Sequence, residues 1–123
     1  VGSALEYGEI SGDLVETSVP NPTTFYGKSK LAATCWLKRR CERYGTKAVT
    51  ARLFTVYGPG EHTGRLLPTL LQCAQTGSIV PLTSGVQKRD FIYVEDAVTG
   101  LLQLGFACVS PGEPVNVATG RLT

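Results

Sequence analysis

The chain of 123 residues has no methionine, one histidine, one tryptophan and four cysteines, and each shortage excludes something. Cys35, Cys41, Cys73 and Cys108 show no Cys-x-x-Cys spacing, and Cys35 and Cys41 fall on different sides of one predicted helix. They read as buried free thiols of a reducing compartment, not as a disulfide framework or a zinc site. His62 has no partner ligands in the sequence pattern, so it reads as a surface-loop residue and no metal site is expected. No apolar run reaches membrane-spanning length and no leader-like segment is present, so a membrane partner is not expected and the expected location is cytoplasmic. Charge is nearly balanced, with 12 basic and 10 acidic residues. The cluster Lys38-Arg39-Arg40 with Arg43 lies on the far half of a predicted helix, where the C-terminal end favours cations. It reads as a solvated face, and no nucleic-acid partner is expected.

What the chain does have is Thr24-Phe25-Tyr26-Gly27-Lys28-Ser29-Lys30-Leu31-Ala32-Ala33. Thr23 and Thr24 follow two prolines as N-cap residues, apolar residues recur at helical spacing, and Gly45 stands past a basic last turn, which predicts a helix from about Phe25 to Tyr44. Continuing the line of Tyr26 and Lys30 along that helix gives Ala33, Leu37, Cys41 and Tyr44 as the stripe expected to pack inward. Lys28 lies about 160° from Lys30 around the axis and is expected in solvent. A phenol is a poor base at neutral pH, but a fixed ammonium one helical turn away favours its phenolate, so Tyr26 and Lys30 form a candidate acid-base pair.

Four further blocks accompany this one in order: Ser3-Ala4-Leu5-Glu6-Tyr7-Gly8, Arg52-Leu53-Phe54-Thr55-Val56-Tyr57-Gly58-Pro59-Gly60, Arg89-Asp90-Phe91-Ile92-Tyr93-Val94-Glu95-Asp96-Ala97 and Asn116-Val117-Ala118-Thr119-Gly120. Together they resemble the extended short-chain dehydrogenase/reductases, and more narrowly the NAD-dependent epimerase/dehydratase family that acts on nucleotide sugars. The resemblance implies an α/β fold, a partial Rossmann-type doubly wound parallel sheet with part of a smaller C-terminal substrate-binding region. Residues 1–60 then belong to the dinucleotide-binding domain, and residues 61–123 to the nucleotide-sugar region with some elements returning to the sheet.

The resemblance also assigns roles. Ser3, Tyr26 and Lys30 are the implied catalytic residues, with Tyr26, Lys30, Leu53 and Phe54 against an NAD or NADP cofactor. Thr55, Arg65, Leu66, Val80, Leu82 and Arg89 are implied to border a nucleotide-sugar substrate. Arg89 is implied to grip the diphosphate, which its planar fork of donors suits, while its alternative is an ion pair with Asp90 or Glu95. The implied reaction is epimerisation or ketone reduction by hydride transfer, and the implied assembly is a homodimer. A dehydratase of the same family and a non-catalytic dinucleotide sensor are the alternatives. Ala4 and Leu5 stand where the dehydratase branch carries acidic residues, which argues against dehydration, and Thr55 stands where the family commonly has Asn. The glycine-rich phosphate loop that such enzymes place on their first strand and helix is missing, so the chain is expected to be an internal stretch of a longer protein.

The remaining elements follow from pattern. Val1-Gly2-Ser3 reads as the end of a buried strand, Ala48–Phe54 as a buried parallel strand, Ile79-Val80-Pro81-Leu82 and Pro114–Ala118 as strands. Glu9–Val19 reads as a polar loop near the substrate. Gly64-Arg65-Leu66-Leu67-Pro68 opens a second predicted helix, which runs through about Thr76 and is ended by Gly77, with Leu67, Leu70, Leu71 and Ala74 at helical spacing. A third is predicted from Ala97 to about Phe106, capped by Asp96 and packed through Val98, Leu101, Leu102 and Leu104. Tyr57-Gly58-Pro59-Gly60 reads as a turn.

Overall fold

The computed structural model describes residues 1–9, 12–80, 82, 84–107 and 110–122. Its order is strand β1 (Gly2–Ser3), a 3-10 turn (Ala4–Glu6), helix α1 (Phe25–Tyr44), strands β2 (Thr50–Leu53) and β3 (Thr55–Tyr57), helix α2 (Leu66–Thr76), strand β4 (Phe91–Tyr93), helix α3 (Val94–Phe106) and strand β5 (Pro114–Val117). All three pairings among these strands are parallel. One sheet runs β1-β2-β5, and β3 pairs with β4 in a second. In the first sheet Ser3 lies beside Leu53, and Leu53 beside Val117, so the three strands end in one row. Parallel strands deliver their carboxyl ends to a single edge, which is where ligands of open α/β sheets collect.

Helix α1 has the predicted boundaries. Thr24 Oγ1 accepts from Gly27 N at 3.0 Å, and Gly45 adopts the left-handed conformation at the other end, its N–H donating to Cys41 O. The packed face differs from the predicted stripe. The buried positions are Gly27, Thr34 and Cys41, while Tyr26, Ala33 and Tyr44 are exposed. At 100° per residue the packed face is rotated by roughly 60° from the predicted one. The cause is close approach: a Cβ on Gly27 would stand 2.4 Å from Leu5 O. The helix docks on the 3-10 turn through Gly27 and through Thr34 Oγ1, which donates to Glu6, and it also touches β1.

That contact gives the first expected outcome. Replacing glycine by alanine inside a helix ordinarily stabilises by up to about 1 kcal/mol. Here the new methyl meets backbone that cannot rotate away, and overpacking costs about 1–3 kcal/mol. Gly27→Ala is therefore expected to lower the thermal midpoint of the full-length protein, and a raised midpoint would contradict the close packing.

The other side of the sheet is apolar. Ala51, Ile92, Ala97 and Val117 form the buried cluster, with Leu53, Val56, Leu101 and Leu104 packed against it. Val98 and Leu102, expected in this packing, are exposed. Helix α3 begins three residues earlier than predicted, at Val94, so Asp96 lies within its first turn and makes no cap; Tyr93 occupies the N-cap position without a side-chain bond. Asp96 still favours that end by its charge. Helix α2 runs from Leu66 to Thr76 as predicted, with Gly77 left-handed past its end, but none of its residues is fully buried and Leu71 is 65% exposed.

No strand forms at Ile79, Val80 or Leu82, where Ile79 is 93% exposed; Pro81 lies outside the described residues. A strand forms instead at Thr55–Tyr57, partly inside the stretch read as a turn, because Thr55 N donates to Asp90 O and the chain pairs with β4. Among the described cysteines only Cys41 is buried: Cys35 is exposed and Cys73 half-buried, all three as free thiols; Cys108 lies outside the described residues. His62 is exposed. The basic cluster is partly engaged rather than simply solvated. Lys38 Nζ donates to Glu113 Oε1 at 2.7 Å, and the Arg40 guanidinium lies over Tyr44 at 4.2 Å. No helix among the described residues is long and apolar enough to cross a membrane.

Candidate active site

A cleft of about 580 Å³ opens at the carboxyl ends of β1 and β2, walled on one side by the first turns of α1. It collects Ser3, Tyr26 and Lys30 with the segment Leu53–Val56, and Arg65 and Arg89 line it as well. Eight of the eleven sequence-predicted site residues therefore share one concave surface. Leu66, Val80 and Leu82 do not line it: Leu66 is 47% exposed at the start of α2, Val80 is half-buried, and Leu82 is 65% exposed in a segment without regular structure. For Val80 and Leu82 the cause is that the strand expected to carry them is not formed among the described residues.

Tyr26 is 52% exposed at the rim, and its hydroxyl has no hydrogen-bond partner among the described residues. Lys30 Nζ stands 5.5 Å from the centre of the Tyr26 ring and donates to Val1 O at 3.2 Å. An ammonium has three donors, so this contact fixes Lys30 and leaves capacity for ligand hydroxyls. Ser3 caps the 3-10 turn. Its Oγ accepts from Leu5 N at 3.2 Å while its own N–H donates to Glu6 Oε1 at 3.1 Å, a reciprocal capping box. The hydroxyl keeps its proton to give to a ligand.

The phosphate-suited residues line the same cleft. Asp90, the neighbour considered as an ion-pair partner for Arg89, is buried and spent elsewhere. Its carboxylate accepts from Thr119 N, Thr119 Oγ1 and Arg121 N at 2.9, 3.0 and 3.1 Å. Among the described residues no carboxylate lies within ion-pair distance of Arg89. Its exposed guanidinium is available to a ligand.

Behind Ser3 is a group that the motif reading passed over. Glu6 is fully buried and Arg52 is 2% exposed. Arg52 Nε donates to Glu6 Oε2 at 2.9 Å, and Thr34 Oγ1 to Glu6 Oε1 at 3.1 Å. The guanidinium also lies 4.6 Å from the Tyr7 ring centre, and Arg52 Nη1 has no hydrogen-bond partner among the described residues. Burial works against the Arg52 charge, but hydrogen bonding to Glu6 and Tyr7 outweighs it and the pKa is raised. Tyr7 in turn donates to Asn116 Oδ1 at 2.8 Å, and Asn116 donates to Glu16 Oε1 and Leu14 O, which ties Leu14 and Glu16 to β5. The sequence signal for this network was a carboxylate placed two residues beyond Ala4 in an otherwise apolar strand end, opposite an arginine inside a β-branched run.

A second hollow of about 530 Å³, between α3 and β5, contains none of the predicted site residues. No group of His, Cys, Asp and Glu suited to a metal occurs among the described residues.

A model of the NAD dependent epimerase/dehydratase family matches residues 1–118. The chain is 32% identical to mouse (Mus musculus) dTDP-D-glucose 4,6-dehydratase over 113 residues, 91% of this chain and 32% of the relative's length. It is 31% identical over 112 residues to a Bacillus subtilis (strain 168) protein named as an uncharacterized UDP-glucose epimerase, YtcB, covering 90% of this chain and 35% of the relative. The crystal structure of UDP-glucuronic acid 4-epimerase from Bacillus cereus, in complex with UDP-glucuronic acid and NAD, superposes with a TM-score of 0.88 at 26% identity, over 99% of this chain and 40% of that one. The chain thus spans about a third of the length of the curated relatives it matches.

Proposed function

Because this chain belongs to the NAD dependent epimerase/dehydratase family, we propose that the protein carrying it transfers hydride between a nicotinamide cofactor and a nucleotide-activated sugar, with Tyr26 as the general acid and base. The observation that carries the reading is the convergence of Ser3, Tyr26 and Lys30 on one cleft that Arg65 and Arg89 also line. NAD or NADP, when bound, supplies the hydride acceptor and donor.

The cleft suits such a group. Leu53 and Phe54 offer an apolar floor for a flat ring, and the spare donors of Lys30 suit ribose hydroxyls. Tyr26 exchanges a proton with the sugar hydroxyl, Lys30 holds positive charge beside the phenol, and Ser3 donates to the reacting oxygen. Thr55 offers a hydroxyl to the sugar. The division at residues 60 and 61 follows the same scheme, with the second part carrying the nucleotide contacts. A cytoplasmic homodimer completes the proposal.

Epimerisation or ketone reduction is favoured over dehydration by the acid content of the cleft. Ala4 and Leu5 follow Ser3 along its wall and carry no proton-transfer group, and the next carboxylate, Glu6, is turned away into a buried ion pair. Dehydration stands as the second reading because the mouse relative is named as a 4,6-dehydratase.

Arg89 provides a test of substrate class. Arg89→Ala in the full-length enzyme is expected to raise KM for UDP-glucose or dTDP-glucose by about tenfold or more, the scale of a lost charge-assisted contact. NAD affinity should stay within about twofold, since the contact is to substrate. A weakened NAD affinity with unchanged KM would reassign Arg89 to the cofactor.

A further inference from the structure

The reacting groups come from different elements, and one buried side chain touches the elements that carry them. Glu6 Oε1 accepts from Ser3 N at 3.1 Å on β1 and from Thr34 Oγ1 at 3.1 Å on α1, one turn beyond Lys30, while Oε2 accepts from Arg52 Nε at 2.9 Å on β2. The site around it is shaped for this carboxylate: a Cβ on Gly2 would stand 2.5 Å from Glu6 Oε1. Glu6 is fully buried and does not line the cleft, so it cannot itself exchange a proton with a ligand there.

We propose that Glu6 is a positioning residue, which with Arg52 and Thr34 sets Ser3 in register with the Tyr26–Lys30 turn of α1. The proposal rests on the acid-base reading given above. Ser3 has an extended backbone, and its orientation is fixed from both sides of the capping box: Glu6 holds its N–H and Leu5 N holds its Oγ. Those two bonds hold the Ser3 backbone and Oγ in place, and the hydroxyl proton is left free to turn toward a ligand in the cleft. Thr34 applies the same anchor to α1, so a shift of the helix along β1 breaks a buried bond. Arg52 neutralises the carboxylate and ties it to the strand that continues into Leu53–Thr55.

A purely structural ion pair also stabilises the fold, so the test must separate stability from positioning. Glu6→Leu together with Arg52→Met removes both charges and keeps buried volume, an exchange that buried ion pairs often tolerate. Turnover of the full-length enzyme with NAD and UDP-glucose or dTDP-glucose is measured for this pair of changes, for Ser3→Ala, and for all three together. The paired change is expected to lower kcat by about tenfold or more, because small misplacements of reacting groups are costly. KM should stay within about twofold, and in the Ser3→Ala background the further loss should be less than about twofold, since residues acting through one group are not additive.

Equal losses in both backgrounds, or unchanged kcat for the paired change, would overturn the proposal. If the paired variant does not fold, the same cycle is run with Thr34→Val, which leaves the ion pair intact; coupling to Ser3 supports the proposal and additivity overturns it. A Ser3→Ala enzyme with undiminished kcat would sink the acid-base reading and this inference together. A damaged Ser3→Ala enzyme with an additive or silent paired change sinks this inference alone.

Discussion

Tyr26→Phe in the full-length enzyme is expected to lose turnover by about 10² to 10⁴-fold, the usual worth of general acid-base catalysis, with KM for the nucleotide sugar changed by no more than a few-fold. The argument is one of subtraction. Phenylalanine keeps the ring, and the Tyr26 side chain is 52% exposed with no hydrogen bond from its hydroxyl among the described residues, so the fold loses nothing measurable. The ring that carries the deleted oxygen has its centre 5.5 Å from Lys30 Nζ, and Tyr26 lines the cleft. Steady-state kinetics with UDP-glucose and dTDP-glucose decide it, and turnover within a few-fold of wild type would show that Tyr26 is not the acid-base group.

The largest effect on stability is expected from Arg52→Leu. That change leaves Glu6 in a fully buried site with its Oε2 oxygen unpaired, and breaking one side of a buried ion pair costs about 3–5 kcal/mol. Folding raises the Arg52 pKa, so the contribution of its charge is complete at every pH below the ordinary guanidinium value and is lost only as pH rises above it. Neutral pH therefore does not remove it, and substitution is needed. In urea unfolding of the full-length protein the single change should shift the midpoint strongly, whereas Glu6→Leu with Arg52→Met should recover most of the loss. A single variant as stable as wild type would show that Glu6 finds another partner or water.

Most of the cleft was legible because its parts are local. A cap, a turn and i, i+4 spacing place Tyr26 and Lys30 on one helix, the resemblance of the further blocks gave Ser3, Leu53, Phe54, Thr55 and Arg89, and the family position of the second helix's opening gave Arg65. The helix ends at Thr24 and Gly45 are likewise local, set by one side-chain bond and one left-handed glycine. What the sequence concealed depended on distant partners. The packed face of α1 is chosen by Leu5 O meeting Gly27, a contact across 22 positions that no apolar period records. Glu6 was read only as part of a motif, because its burial depends on Arg52 and Thr34 arriving from other elements. Strand β3 was not separated from the run before it and the turn that overlaps it at Tyr57, since its partner β4 lies beyond the whole of α2. Residues 79–82 carry strand-like side chains, yet among the described residues they have no neighbouring strand to pair with. Local pattern overpredicts there for want of a tertiary partner.

The most direct test of the central claim is whether this cleft moves hydride. Full-length enzyme loaded with NAD is mixed with UDP-glucose and, separately, with dTDP-glucose, and the absorbance of reduced nicotinamide is followed through a single turnover. The account predicts transient reduction with at least one of the two sugars, slowed by about 10²-fold or more in Tyr26→Phe. Bound NAD that is never reduced by either sugar, in wild type and variant alike, would contradict it.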